Sequence, residues 1–162
     1  MIKPNLISSL FIDFDGVLTN NCFYLSEKGE ETVKLSRSDG LAFSILNKLK
    51  IPTYIISTET NPVVKRRAKK LKIKCYNGIE NKKNFLFNFT KQNKINLKYS
   101  FFIGNDVNDY EAMKICGYAL CPNDSHPIIK KIAHKVLSSN GGEGVIREFV
   151  DKILNINIID HI

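Results

Sequence analysis

Short apolar runs alternate with stretches of helical periodicity along the whole chain. "NLISSLFI" (5–12) predicts a first strand that halts at Asp13. "CFYL" and "ETVKL" flank the polar, glycine-containing "SEKGE" and predict a β-hairpin. Leu41, Ile45, Leu46 and Leu49 recur at helical spacing in "SDGLAFSILNKLK". "IPTYIIS" predicts the next strand, and "NPVVKRRAKKLK" the next helix, capped by Asn61 with Pro62 at its first position. The alternation continues with strand "IKCY", helix "NKKNFLFNFTKQN", strand "YSFFIG", helix "NDYEAMKIC", strand "YALC" and helix "SHPIIKKIA". A short strand, "KVLS", and a final helix, "EGVIREFVDKIL", complete it. This succession predicts a three-layer α/β fold around a mostly parallel sheet.

With 162 residues, 43% of them hydrophobic, the chain suits a single domain spanning 1–162. No apolar stretch approaches the roughly 20 residues that cross a bilayer. The opening apolar run leads into acids rather than to a small-residue cleavage site, so a cytoplasmic protein without membrane contact is expected. Cys22, Cys75, Cys116 and Cys121 form no C-x-x-C pair and are expected to be reduced thiols rather than disulfides or zinc ligands. The formal charge of +8 is concentrated in "KRRAKKLKIK" and suggests attraction to anions. Nucleic acid is not the expected partner, because no aromatic-interleaved or recognition-helix pattern accompanies the charge.

The polar residues gather where the parallel strands end, which is where open α/β sheets collect ligands. Asp13 and Asp15 follow the first strand, "STE" (57–59) follows the second parallel one, and "GNDVND" (104–109) a later one; Lys82 opens a helix. These residue types suit phosphoryl transfer. Asp13 would attack phosphorus, and Asp15, two residues on, would protonate the leaving oxygen and then activate water. Ser57 and Thr58 are candidates to hydrogen-bond the phosphate, Gly16 to let backbone approach it, and Lys82 to supply a fixed positive charge. Mg²⁺, a hard ion that takes oxygen ligands and bridges carboxylate to phosphate, would relieve the repulsion between Asp13 and Asp15.

"DFDGVLT", the strand ending "IIS", Lys82 and "GNDVND" together resemble the four motifs of the haloacid dehalogenase superfamily, in order. "KLSRSDGLAFSIL", "STETNPVVKRRAKKL", "NGIENK", "NDSHPIIKKIA" and "GGEGVIREF" resemble its 3-deoxy-octulosonate 8-phosphate and 9-phospho-nonulosonate phosphatases, relatives of domains attached to acylneuraminate cytidylyltransferases. The resemblance implies a Rossmann-like fold, a homotetramer and hydrolysis of an acidic keto-sugar phosphate. It also implies that the hairpin, about 20–35, is a flap over the neighbouring subunit's active site, and that the tail, about 141–162, lies near an adjoining site. The interval from Asp13 to Ser57 holds only the hairpin and one helix, so no separate cap domain is expected.

Two positions depart from the family pattern. The resemblance implies a Mg²⁺ site of Asp13, Asp15, Asn105, Asp106 and Asp109; Asn105 stands where an aspartate is usual, and its amide oxygen still suits Mg²⁺, but one negative charge is lost unless Asp106 or Asp109 compensates. Glu59 stands where octulosonate phosphatases commonly carry a cation; the nonulosonate branch resembles this acidic arrangement more closely, and Glu59 is a candidate to accept hydrogen bonds from sugar hydroxyls or an N-acyl amide. Arg67 and Lys70 are candidates for the substrate carboxylate across a subunit boundary. The competing reading is a non-catalytic module of the same fold that keeps the oligomer and assists a cytidylyltransferase. A phospho-receiver domain fits less well, because the strand end "IISTE" carries no phosphoacceptor aspartate.

Overall fold

The computed structural model describes residues 3–161; positions 1, 2 and 162 of the expected 1–162 domain lie outside the described residues. Among the described residues, eight strands and six α-helices follow in the order β1 (Ser9–Ile12), β2 (Thr19–Leu25), β3 (Glu31–Leu35), α1 (Ser38–Lys48), β4 (Thr53–Ile56), α2 (Pro62–Leu71), β5 (Lys74–Tyr76), α3 (Lys82–Gln92), β6 (Ser100–Ile103), α4 (Tyr110–Ile115), β7 (Tyr118–Cys121), α5 (Pro127–Ile132), β8 (Lys135–Val136) and α6 (Val145–Glu148). Six strands form one sheet in the order β5-β4-β1-β6-β7-β8, every pair parallel.

Strand alternation divides the core into two layers. Leu10, Ile12, Ile55, Phe101 and Ile103 pack with Phe43, Leu46, Val64 and Phe149 from α1, α2 and the C-terminal segment. Phe11, Ile56 and Phe102 face the other way, onto Leu86, Phe89, Met113 and Ile129 from α3, α4 and α5. Both faces of the sheet are covered, which is why the strands read as continuous apolar runs rather than alternating ones. The three-layer α/β expectation holds.

The ends of two predicted elements differ. The first strand begins at Ser9, because Pro4 opens a 3-10 turn closed by Ile7 N–H on its carbonyl oxygen. The final predicted helix is α-helical only over Val145–Glu148 and then widens into a π-helix, Phe149–Ile153. Asn61 and Asn81 cap α2 and α3 through their side-chain oxygens.

The β2–β3 hairpin forms its own two-stranded sheet. It is poor in buried apolar positions, and Phe23, Tyr24 and Leu25 are 56%, 71% and 64% exposed. No helix among the described residues is long and apolar enough to cross a membrane.

Candidate active site

Because β1 is flanked by β4 on one side and β6 on the other, three strand ends deliver their loops to one place. There a crevice of about 210 Å³ is lined by Asp13, Asp15, Asn21, Ser57, Thr58, Asn105, Asp106, Val107 and Asn108. Asp13 N–H donates to Ile103 O (3.0 Å) and Ser57 N–H to Tyr76 O (3.0 Å), so both residues extend the strand ladders beyond the last assigned strand residue.

Lys82 lies beneath the crevice. Its side chain is fully buried, and Nζ binds Asp13 Oδ1 at 2.8 Å and Asp109 Oδ1 at 2.6 Å. Burial alone would lower the lysine's pKa; the two carboxylates outweigh it and hold it above the ordinary value. Asp13 Oδ1 also accepts from Phe14 N–H (2.7 Å), which leaves Oδ2 as the free oxygen. Burial, together with the charge of Asp109, pushes the Asp13 carboxyl up to about 8, and Lys82 and the Phe14 N–H oppose this only in part. With both carboxylates ionised, one ammonium would face two negative charges, and that surplus opposes ionisation of Asp13 unless a further cation is supplied.

Asp109 does not reach the crevice as a free ligand. Its Oδ1 takes Lys82, and its Oδ2 takes the N–H groups of Asn105 (2.9 Å) and Asp106 (3.4 Å). A Cβ at Gly104 would sit 2.6 Å from the Asp109 side chain, so the glycine makes room for that carboxylate to fold back under its own loop. Asp106 caps the following turn by accepting from Val107 N–H (2.7 Å) and stands at the crevice rim.

Asn105 is buried, and its Oδ1 has no hydrogen-bond partner among the described residues. An orphaned buried acceptor is costly. A hard divalent cation supplies what both this oxygen and the surplus carboxylate charge lack, so the donor set fits such an ion. Gly16, expected to bring backbone to the phosphate, also makes room for a neighbouring side chain. It has φ +77°, and a Cβ there would overlap the Asn105 amide, so the glycine admits that side chain.

Asp15 is half-buried and accepts from Thr19 Oγ1 (3.0 Å). Burial raises its pKa, opposed by that hydrogen bond and reinforced by Glu59 and Glu31. Ser57 is buried, and its Oγ accepts from Glu59 N–H (3.0 Å); Thr58 Oγ1 accepts from Asn108 Nδ2 (3.4 Å). Glu59 is not among the residues lining the crevice; its Oε1 accepts from the N–H groups of Thr60 (2.6 Å) and Asn61 (2.7 Å).

Arg67 and Lys70 lie elsewhere in the chain. They line a hollow of about 860 Å³ with Arg37, Lys48, Lys72, Val33, Leu35 and Leu71. Arg67 Nη2 donates to Ser36 O at 3.0 Å. Asn21 and Asn108 are crevice residues that sequence reasoning missed. Asn108 lay within a quoted motif, whereas no local signal marks Asn21.

Comparison with known proteins decides the family. Residues 54–149 match the model of the haloacid dehalogenase-like hydrolases. The chain belongs to that family. The 3-deoxy-D-manno-octulosonate 8-phosphate phosphatase of Haemophilus influenzae is 31% identical, over 94% of this chain and 85% of its own length. The crystal structure of the Moraxella catarrhalis enzyme of that name, in complex with magnesium ion, phosphate ion and KDO, superposes with a TM-score of 0.89 at 27% identity. It covers 94% of this chain and 88% of that one. The cobalt-bound form from Haemophilus influenzae gives a TM-score of 0.87 at 30% identity, covering 95% and 91%. This member of the haloacid dehalogenase-like family is thus a hydrolase of the phosphatase type.

Proposed function

We propose that the protein hydrolyses the phosphate monoester of an acidic 3-deoxy-2-keto sugar, an octulosonate 8-phosphate or a 9-phospho-nonulosonate. The observation that carries this reading is the crevice floor. Lys82 bridges Asp13 and Asp109 beneath a cleft that Asp13, Asp15 and Asn105, whose buried Oδ1 is unpaired, line together.

Asp13 is the nucleophile. Phe14 N–H and Lys82 hold Oδ1 fixed, so the carboxylate is oriented before substrate arrives. Its attack forms an O–P bond as the ester P–O bond breaks, and Asp15 gives its proton to the departing oxygen. In the second half, Asp15 takes a proton from water as that water attacks phosphorus; the Asp13 O–P bond breaks, and inorganic phosphate leaves. The raised pKa of Asp15 suits the donor role. Ser57 and Thr58 border the place the phosphoryl oxygens occupy. Asp109 positions Lys82 rather than touching substrate.

Asp13, Asp15 and Asn105, with Asp106 at the rim, are the residues that would hold Mg²⁺. Such an ion, when bound, neutralises phosphoryl and carboxylate charge. The exposed Phe23, Tyr24 and Leu25 fit a flap that covers the crevice of a second copy, in a homotetramer that also brings Arg67 and Lys70 to the substrate carboxylate.

The test is phosphate release from octulosonate, nonulosonate and hexose phosphates with and without Mg²⁺, with Asp13→Asn as the control. Metal-dependent turnover of an acidic keto-sugar phosphate is expected. No turnover of any ester would overturn the reading and favour the non-catalytic module, toward which the missing charge at Asn105 leans.

A further inference from the structure

The hairpin ladder breaks register close to the crevice. Thr19 pairs with Leu35 and Phe23 with Val33, so four steps along β2 match only two along β3. Asn21 lies within this irregularity with φ +60°, a left-handed conformation that asparagine tolerates better than most residues. Irregularities of this kind next to a site re-aim a side chain.

The bulge is tied to the catalytic loop by one hydroxyl. Thr19 Oγ1 accepts from Asn21 N–H (3.2 Å) and Gly16 N–H (3.2 Å), and donates to Asp15 Oδ1 (3.0 Å). From behind, Gly142 N–H donates to Val17 O at 3.0 Å, so the loop preceding α6 braces the same segment. The position of Asn21 is therefore fixed relative to Asp15. Asn21 lines the crevice with Asp13, Asp15 and Ser57 and is exposed there, so its side-chain amide is accessible to a ligand.

We propose that Asn21 determines specificity by hydrogen-bonding a hydroxyl of the sugar leaving group beside the ester oxygen that Asp15 protonates. This rests on the phosphatase reading above and deepens it. A side-chain amide carries both donors and an acceptor, the complement of a hydroxyl. A residue present only to make the turn would leave selectivity unmoved, because glycine adopts the same backbone without cost.

The test compares kcat/KM for the preferred phosphosugar with that for p-nitrophenyl phosphate, whose leaving group offers no sugar hydroxyl, in the unsubstituted protein, Asn21→Gly and Asn21→Asp. Asn21→Gly is expected to lower the phosphosugar-to-nitrophenyl ratio about tenfold, chiefly through KM for the sugar. Asn21→Asp, which loses the donor and sets a charge before an anionic substrate, is expected to lower it further. An unchanged ratio in both variants, or an equal fall on both esters, would overturn the inference. If the unsubstituted protein releases phosphate from neither ester, the phosphatase reading falls first, and this inference falls with it.

Discussion

Two hollows of opposite charge divide the molecule's polar chemistry. The crevice at the strand ends holds about 210 Å³ and is walled by carboxylates and amides. The hollow between α1 and α2 is about 860 Å³ and presents Arg37, Lys48, Arg67, Lys70 and Lys72 over an apolar floor of Val33, Leu35 and Leu71. In the crevice nearly every charge is pinned: Asp13 by Lys82 and a backbone N–H, Asp15 by Thr19, Asp109 by three donors. In the hollow Lys48, Lys70 and Lys72 are exposed, and of the three only Lys48 is held among the described residues, by His161 O at 2.5 Å. Bond-making needs groups fixed before the substrate arrives. Attraction of an acidic ligand needs only enough charge of one sign.

If that contrast is right, changes in the crevice act on turnover and changes in the hollow on affinity. Asp13→Asn should remove at least a thousandfold of kcat while the melting transition stays cooperative; comparable turnover in the variant would dismiss Asp13 as nucleophile. Lys82→Met leaves two carboxylates facing each other without their shared ammonium. Urea unfolding should show a loss of about 3–5 kcal/mol, the usual cost of stranding a buried charge.

The next effect lies beside the hollow. Asp39 on α1 is buried, accepts from Arg147 N–H at 2.9 Å through Oδ1, and leaves Oδ2 unpaired. Burial pushes its carboxyl up to about 6, against the N–H groups of Arg147 and Ile146 and the nearby Arg67. A carboxyl raised in the fold binds its proton more tightly there than in the unfolded chain. Stability should therefore rise as pH falls from about 6 to about 4, and the full cost should be present above 6. Relative to Asp39→Asn, the unsubstituted protein should gain about 2–3 kcal/mol across that window in urea midpoints; parallel curves would refute it.

Asn105→Asp should tighten Mg²⁺ binding about tenfold in a calorimetric titration, since a carboxylate replaces an amide oxygen toward a hard cation. An unchanged or weaker titration would break the assignment of that side chain. The smallest effect belongs to the hollow: Arg67→Ala and Lys70→Ala should each raise KM for an acidic phosphosugar several-fold with far less change in kcat, and the difference should shrink in salt. Loss in kcat alone would erase the distinction between the two hollows.

The crevice was largely legible in the sequence because acids and hydroxyls at the ends of apolar strands are conspicuous. Asp13, Asp15, Ser57, Thr58, Asn105 and Asp106 all line it. What could not be read is who faces whom. Asp109 looks like another acid in "GNDVND", yet its oxygens are used by Lys82 and by its own loop. Gly16 and Gly104 look like loop glycines, yet each yields space to a particular side chain, Asn105 and Asp109. The register break that places Asn21 depends on pairing with β3, which no local pattern records. The widening of the last helix over Phe149–Ile153 is likewise marked by no local pattern.

The central place of β1 also bears on the life of the chain during synthesis. Its neighbours are β4 and β6, and Ser9 Oγ meets Ser100 Oγ at 2.8 Å across 91 positions. The strand that carries Asp13 is made first but cannot be paired on both sides until Ser100–Ile103 has left the ribosome. Lys82 and Asp109 join it on the same schedule. Long-range parallel pairing of this kind is slow. From the synthesis of β1 until β6 docks, the chain thus lacks an assembled crevice, and the crevice should form in one step when β6 joins the sheet.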